Sequence, residues 1–365
     1  MKVLVVTGSS GGHIFPALGF LDALREKSKV LDVLLLLPKK NINLNLEELG
    51  YKVQYLGIST INNRLTLGNF ANILDFLRAS LACAKLLLQF NPDVVVGFGS
   101  LTSLPAVGIA WLMRTSTVIH EQNVIPGRAN RFLAYFADKI AISFPETKTY
   151  LKANSKKLVL TGNPLRKEIF QVGKKEALEY FGFGQDKPTI LVMGGSQASE
   201  RINSFFLKAV NAIPGKNNLQ VIHLAGKKDA AALEEEYKKS GISAKVFDFL
   251  GPMRYAYSAA DLVISRAGAI SISEISFFKI PAILIPYPYA YAHQAKNAQV
   301  LEQNNTAIAI EDTKLDTGLL KITIESLLNN PEKLAEMRHG YEGNLIKGAN
   351  QLLAEEVSAL AAYQN

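Results

Sequence analysis

The sequence predicts an α/β protein made of two doubly wound, Rossmann-like domains facing each other across a deep cleft. Three observations carry that expectation. Apolar runs of strand length alternate with helix-length segments along the 365 residues, as in parallel sheets covered by helices on both faces. Two strands, Lys2–Thr7 and Thr189–Met193, each run into a Gly-rich loop and then a helix, about one domain apart. Residues 265–297 form a further strand–turn–helix–strand–loop–helix unit, whose loops belong beyond the carboxyl ends of strands, where such sheets bind ligands.

Bulk properties agree. The length suits two domains with a core each, and 48% apolar with 20% charged residues describes a globular chain. One cysteine, Cys83 in the run LACAKLLL, excludes a disulfide framework and fits a reducing compartment. Its ordinary role would be that of a small buried hydrophobe. The opening MKVLVVTG reads as a strand, with no secretory cleavage pattern. The uncharged run Val94–Met113 is long enough for a bilayer. However, Gly97, Gly99, Ser100, Thr102, Ser103 and Pro105 break it into strand, loop and short helix, which lipid does not tolerate. Residues 1–162 carry 18 Lys and Arg against 10 Asp and Glu, and residues 163–365 carry 22 of each. The whole net charge of +8 therefore lies in the first half and points it at phosphates or an anionic surface.

In order, Lys2–Thr7 is a buried-type strand followed by Gly8-Ser9-Ser10-Gly11-Gly12-His13 and a helix to about Lys27. Uncapped amides and the helix dipole make such a junction an anion site, although glycines there also serve plain turn chemistry. The spacing is not G-x-G-x-x-G and no acidic residue closes the next strand, Val30–Leu37, so a dinucleotide is disfavoured. After a strand at Lys52–Tyr55, Leu65–Phe90 reads as one long helix. Leu67, Phe70, Ile73, Leu74, Leu77, Leu81 and Leu88 give it more apolar surface than one buried face needs, and Arg64, Arg78 and Lys85 punctuate it, with Trp111 and Arg114 following. It is either an ordinary core helix or a contact with anionic lipid. Strands follow at Asp93–Gly97, Ser116–His120, Lys139–Ser143 and Lys157–Leu160. The polar run His120-Glu121-Gln122-Asn123 is expected to line a crevice.

Gly162-Asn163-Pro164-Leu165-Arg166 breaks the pattern and marks the domain boundary. The second half restarts with Thr189–Met193, Gly194-Gly195-Ser196-Gln197 and a helix from about Arg201 to Ala212. Strands are expected at Leu219–Ala225, Lys245–Phe249, Leu262–Ser265, Ala282–Ile285 and Ala307–Ile310, with helices between. No zinc-ligand spacing, low-complexity run or RNA-binding aromatic motif is visible, and no nucleic-acid partner is expected.

The order and spacing of Gly8–His13 with Ile14-Phe15-Pro16, His120–Asn123, Gly162–Arg166, Gly194–Gln197, Ser265–Glu274 and His293-Gln294 resemble the MurG family. These are bacterial undecaprenyl-diphospho-muramoylpentapeptide N-acetylglucosaminyltransferases. The resemblance spans essentially the full chain and implies a GT-B fold. Residues 1–162 would bind the acceptor and the membrane, 163–340 would bind UDP-GlcNAc, and 341–365 would form a helix packing back toward the first domain. It implies inverting transfer of GlcNAc from UDP-GlcNAc to the muramoyl 4-hydroxyl of lipid I, giving lipid II and UDP. No metal cofactor is implied, since loop amides and helix N-termini can stand in for a cation on the leaving diphosphate.

The same resemblance assigns roles. Glu274 would accept from the ribose hydroxyls, and Gly268, Ala269 and Ile270 would meet the uracil or diphosphate with Arg266 as counter-charge. Ser196 and the Gly194 and Gly195 amides would contact the diphosphate, His293 and Gln294 the sugar, and Asn163 and Arg166 donor groups on closure. Ser10, Gly11 and Gly12 would cradle the acceptor diphosphate beside His13 and Asn123. His13 is the candidate base, with Glu121 as the alternative. The implied setting is peripheral, on the cytoplasmic face of an anionic membrane, with other cell-wall synthesis proteins as partners.

The chain departs from the family pattern in three places. Ser9-Ser10 replaces Gly-Thr, Ala198-Ser199 replaces Gly-Ala, and Tyr291-Ala292 replaces an acidic residue. Two other readings remain open at this point: a related transferase acting on another lipid, and a non-catalytic nucleotide-sugar-binding scaffold.

Overall fold

The computed structural model describes residues 1–28, 30–39, 46–48, 50–58, 68–195, 198–289, 293–343 and 346–362, with backbone only for 68–72. The chain divides into two compact units, Met1–Arg166 with Ile346–Asn365, and Lys167–Leu345. The division falls after Arg166 because the preceding segment is tied down within the first unit. The Asn350 side chain accepts the Leu165 N–H at 2.9 Å and donates to the carbonyls of Leu165 at 2.6 Å and Gly19 at 2.8 Å. A Cβ on Gly19 would collide with the Leu165 carbonyl, so a glycine is needed for that approach.

The first unit runs β1 (Lys2–Val6), α1 (Gly11–Lys27), β2 (Asp32–Pro38), β3 (Lys52–Leu56), α2 (Gly68–Phe90), β4 (Val94–Gly97), α3 (Ser103–Leu112), β5 (Ser116–Glu121), α4 (Arg128–Leu133), β6 (Lys139–Ile142) and β7 (Leu158–Leu160). The second runs α5 (Lys174–Phe181), β8 (Thr189–Met193), α6 (Glu200–Asn211), β9 (Gln220–Leu224), α7 (Ala230–Ser240), β10 (Ser243–Phe247), α8 (Met253–Ala259), β11 (Leu262–Ser265), α9 (Ala269–Phe278), β12 (Ala282–Leu284), α10 (His293–Gln303), β13 (Ala307–Ala309), α11 (Thr317–Leu328) and α12 (Pro331–His339). Helix α13 (Ala349–Ala362) belongs to the first unit and packs on α1.

Both sheets are parallel, in the orders β3-β2-β1-β4-β5-β6-β7 and β10-β9-β8-β11-β12-β13. Strand order reverses beside β1 in one and beside β8 in the other, the two strands that carry the Gly-rich loops. The unbroken apolar character of β1 follows from burial on both faces. Val3 and Val5 pack into a core with α1 and α13, while Leu4 and Val6 pack into the core of α2, α3 and α4.

Helix α2 resolves the ambiguity of its sequence. Ala79, Cys83 and Leu87, four residues apart, are buried, whereas Ile73, Leu74, Leu77, Leu81 and Leu88 are exposed. It is a core helix on one face and an uncovered apolar surface on another. Arg64 and the expected helix start at Leu65 to Leu67 lie outside the described residues. The Cys83 thiol is pushed up to about 12 by burial and is chemically quiet. Val94–Met113 divides into β4, a loop and the ten-residue α3, and among the described residues no helix is long and apolar enough to cross a membrane.

Two expected outcomes follow from the backbone and the cores. Ala198 sits at φ +56°, a left-handed conformation that costs an L-residue roughly 1–2 kcal/mol. Ala198→Gly removes that cost against about 0.5–1 kcal/mol of added unfolded-chain freedom, so it raises the thermal midpoint slightly, whereas Ser9, which is not left-handed, gains nothing from Gly. The second concerns His120 and His223, both 0% exposed. Burial lowers their pKa values from 6.5 to about 4 and about 3; a bond to the Gly162 carbonyl partly offsets this for His120. The unfolded chain takes up these protons near pH 6.5 and the folded chain does not. Stability is therefore intact above 6.5 and falls as pH drops toward 4, by up to about 2 kcal/mol per histidine at pH 5. Urea midpoints at pH 7.5 and pH 5 check this, and His223→Gln flattens the dependence of the second unit.

Candidate functional site

In the first unit, three loops converge at the carboxyl edge of the sheet, after β1, β4 and β5. Ser10 stands at the N-cap of α1 but makes no capping bond; its hydroxyl is 2.9 Å from His13 Nδ1 instead. The first-turn amides of α1 therefore lack a side-chain cap and remain an anion-binding end. Two of the glycines are required here. A Cβ on Gly8 would lie 2.9 Å from His13 Nδ1 and 2.8 Å from Ser100 Cβ. Gly99, at φ +81°, faces His13 Nε2 and Asn130 Nδ2 where its Cβ would be. His13 keeps part of its surface exposed but is ringed by protein, and desolvation lowers its pKa to about 4. It is neutral at working pH. If its Nδ1–H donates to Ser10, its Nε2 is left as a proton acceptor.

The β5 run is mostly interior rather than crevice-lining. His120, Glu121 and Gln122 are 0–2% exposed, and only Asn123 is half-buried. Glu121 corrects the expectation of an alternative base. One carboxylate oxygen accepts the Asn123 backbone N–H at 2.9 Å and its side-chain amide at 3.3 Å, and the other accepts the Gly127 N–H at 3.0 Å and the Asn130 amide at 2.8 Å. A buried carboxylate with four donors fixes the loop, and its acceptor positions are already engaged. Gln122 donates to the Phe98 carbonyl at 3.1 Å and ties the same loop to β4. Asn163 and Arg166, expected against the donor, both belong to the first unit. Arg166 stacks 4.2 Å from the Phe15 ring, which lies against Gly11 in the first turns of α1.

In the second unit, the loops after β8, β11 and β12 carry the expected residues, save Ser196 and Gln197, which lie outside the described residues, as do Tyr291 and Ala292. Gly194 is buried where a Cβ would overlap Ser199, and Gly195 has φ +82° and is exposed. Gly268 is the N-cap of α9 without a side-chain cap, so the Ala269 and Ile270 end of that helix is open for backbone recognition. Glu274, 5% exposed, accepts from the Tyr257 hydroxyl at 2.8 Å.

Arg266 is not a loose counter-charge. Its guanidinium ion-pairs with Asp312, donates to the Ile285 carbonyl at 3.1 Å and reaches Ser199 Oγ at 2.9 Å. Asp312 also takes Arg201 at 3.2 Å. Arg266 thus locks the loops after β8, β11 and β12 together. Gln294 accepts the Tyr287 N–H at 2.9 Å and shapes the loop before α10, with His293 half-buried beside it. The fully buried Asn297 donates to the Ala267 carbonyl at 3.1 Å.

Sequence reading gave no role to Asn130, Ser100, Tyr257, Ser199 or Asp312. The side-chain partners of Asn130, Tyr257, Ser199 and Asp312 in the site lie 9 to 111 residues away, so spacing could not reveal them. Among the described residues, no three His, Cys, Asp or Glu side chains cluster as a metal-ion ligand set.

Comparison with known proteins gives the arrangement its family. The N-terminal domain of glycosyltransferase family 28 matches residues 3–142, and its C-terminal domain matches residues 189–353. The UDP-N-acetylglucosamine--N-acetylmuramyl-(pentapeptide) pyrophosphoryl-undecaprenol N-acetylglucosamine transferase of Halothermothrix orenii is 37% identical over 92% of this chain and 93% of its own. The protein of that name from Desulforamulus reducens is 33% identical over 92% of both. Among solved structures, MurG of Acinetobacter baumannii superposes with a TM-score of 0.78 at 24% identity, covering 98% of this chain and 100% of that one, and so speaks for the fold. Two parallel-sheet units matched end to end in this way make a two-domain GT-B fold, and the chain belongs to glycosyltransferase family 28 and, within it, to the MurG family.

Proposed function

We propose that the protein transfers N-acetylglucosamine from UDP-GlcNAc to the muramoyl 4-hydroxyl of lipid I with inversion, releasing lipid II and UDP. The observation that carries this is the identity of 37% with a transferase of that name over more than nine-tenths of both chains. The donor reading rests on the second unit. Glu274 accepts from the ribose diol, a match a neutral amide makes less well. The Gly195 amide and the uncapped start of α9, with Gly268, Ala269 and Ile270, take the uracil and diphosphate; Ser196 is assigned to the diphosphate as well. His293 and Gln294 serve the sugar. Backbone amides and helix ends carry the charge that develops on departing UDP, and no metal is called for.

The acceptor reading rests on the first unit. The uncapped start of α1, with Ser10, Gly11 and Gly12, receives the lipid diphosphate, and Asn123 the reacting sugar. His13 removes the 4-hydroxyl proton as the new O–C1 bond forms and the C1–diphosphate bond breaks. Its low pKa keeps it neutral before the acceptor binds, and a diphosphate beside it raises that pKa toward working pH. Turnover of a lipid I analogue with UDP-GlcNAc, UDP-GalNAc and UDP-Glc tests the assignment; equal use of the three donors, or none, refutes it. His13→Ala lowers kcat by about 10²–10⁴ if it is the base, and a change under threefold leaves it a spectator.

The setting is the cytoplasmic face of the membrane, bound peripherally, with other cell-wall synthesis proteins as partners. The buried lone thiol fits that reducing side. The exposed Ile73, Leu77 and Leu81 on α2, with Trp111, Leu112 and Phe132 on the neighbouring α3 and α4 segments, make an apolar surface with Arg78 and Lys85 exposed on it. Vesicles containing anionic lipid should bind the protein in a salt-sensitive way. Arg78→Glu and Lys85→Glu should each weaken binding about fivefold or more, near 1 kcal/mol per charge, in a co-sedimentation assay. Binding indifferent to both salt and charge reversal argues against this surface.

A further inference from the structure

We propose that Tyr257 is a positioning residue for nucleotide selection, acting through Glu274. This deepens the donor reading above and rests on Glu274 meeting the ribose. The Tyr257 hydroxyl lies 2.8 Å from Glu274 Oε2 and 3.6 Å from Met193 Sδ. A hydroxyl has one proton to donate, and the carboxylate is by far the better acceptor of the two. Met193 is the last residue of β8, directly before Gly194, so the hydroxyl stands between the start of the Gly loop and the carboxylate on α9.

The ring itself is fixed. It is 2% exposed and stacks on Phe278 with centroids 5.1 Å apart and planes 26° from parallel. Phe278 ends the same helix that carries Glu274. Tyr257 and Phe278 also border a cavity of about 480 Å³ with Asp261, Lys174 and Arg338. A carboxylate that accepts from two vicinal hydroxyls must present its plane to them in one orientation. A hydrogen bond to one oxygen from a rigid ring sets that plane before the ligand arrives, which removes an ordering cost from binding.

Tyr257→Phe keeps the ring and its stacking and removes only the donor. The test compares binding of UDP and 2′,3′-dideoxy-UDP by calorimetry in wild type, Tyr257→Phe, Glu274→Ala and the double variant. The preference of wild type for UDP should fall roughly tenfold in Tyr257→Phe, with affinity for the dideoxy nucleotide held within about twofold. The double variant should match Glu274→Ala, since a residue acting through another adds nothing once that one is gone. A wild-type preference retained in Tyr257→Phe overturns the proposal, as does an equal loss for both nucleotides, which marks a packing role. If Glu274→Ala itself keeps the preference, the ribose assignment of Glu274 is what fails. Met193→Leu, which removes the thioether and leaves the hydroxyl bond, should keep the wild-type preference; losing it would move the role to the Gly loop.

Discussion

The constraint on which the rest depends is the reversal of strand order in each parallel sheet, beside β1 in the first unit and beside β8 in the second. Where successive strands depart in opposite directions, their following loops separate and leave a crevice at the carboxyl edge. In both units the strands flanking that point run into loops that carry glycines: Gly8, Gly97 and Gly99 in one, Gly194, Gly195 and Gly268 in the other. Several of these are sterically required. Gly8 and Gly194 have no room for a Cβ, and Gly99 and Gly195 are left-handed. The backbone is thus brought close to the crevice, and α1 and α9 start there without a side-chain cap.

Loops built this way need a second device to hold them, since glycine supplies freedom rather than order. The protein uses buried charge for that purpose. Glu121 collects four N–H donors from the stretch Asn123 to Asn130, and Arg266 with Asp312 joins the loops after three strands of the second sheet. Such groups are costly to bury and more costly to leave half-paired: removing one member of a buried pair typically costs about 3–5 kcal/mol. They hold the loops of the site in place. A charged residue inside a functional motif therefore need not be the one that does chemistry. Glu121 and Arg266 both look like reactive groups by position and type, and both are clamps by contact.

Much of the architecture is legible in the chain because its strands are buried on both faces. Continuous apolar runs such as Val3–Val6 and Ile190–Met193 leave little ambiguity about type, and Gly and Pro punctuate their ends. Strand boundaries drifted where burial is partial: β10 begins at Ser243, two residues before the expected Lys245, on an edge strand whose residues are exposed or half-buried. Helix α2 shows a different limit. Its sequence has apolar residues on more than one face, and only packing separates the buried stripe of Ala79, Cys83 and Leu87 from the exposed one.

By itself the sequence determined the two-sheet α/β plan, the Gly-rich loops at the strand ends and the family, because strand hydrophobicity, glycine placement and motif order are local and read directly along the chain. Tertiary structure decided what those motifs touch. It assigned Arg166 to the first unit over Phe15, made Glu121 a clamp, tied Arg266 to Asp312, and set Tyr257 against Glu274. Each of these joins residues far apart in sequence through a single buried hydrogen bond, ion pair or ring contact. Such a contact leaves no periodicity, because its value lies in desolvation and geometry that exist only once the loops have met.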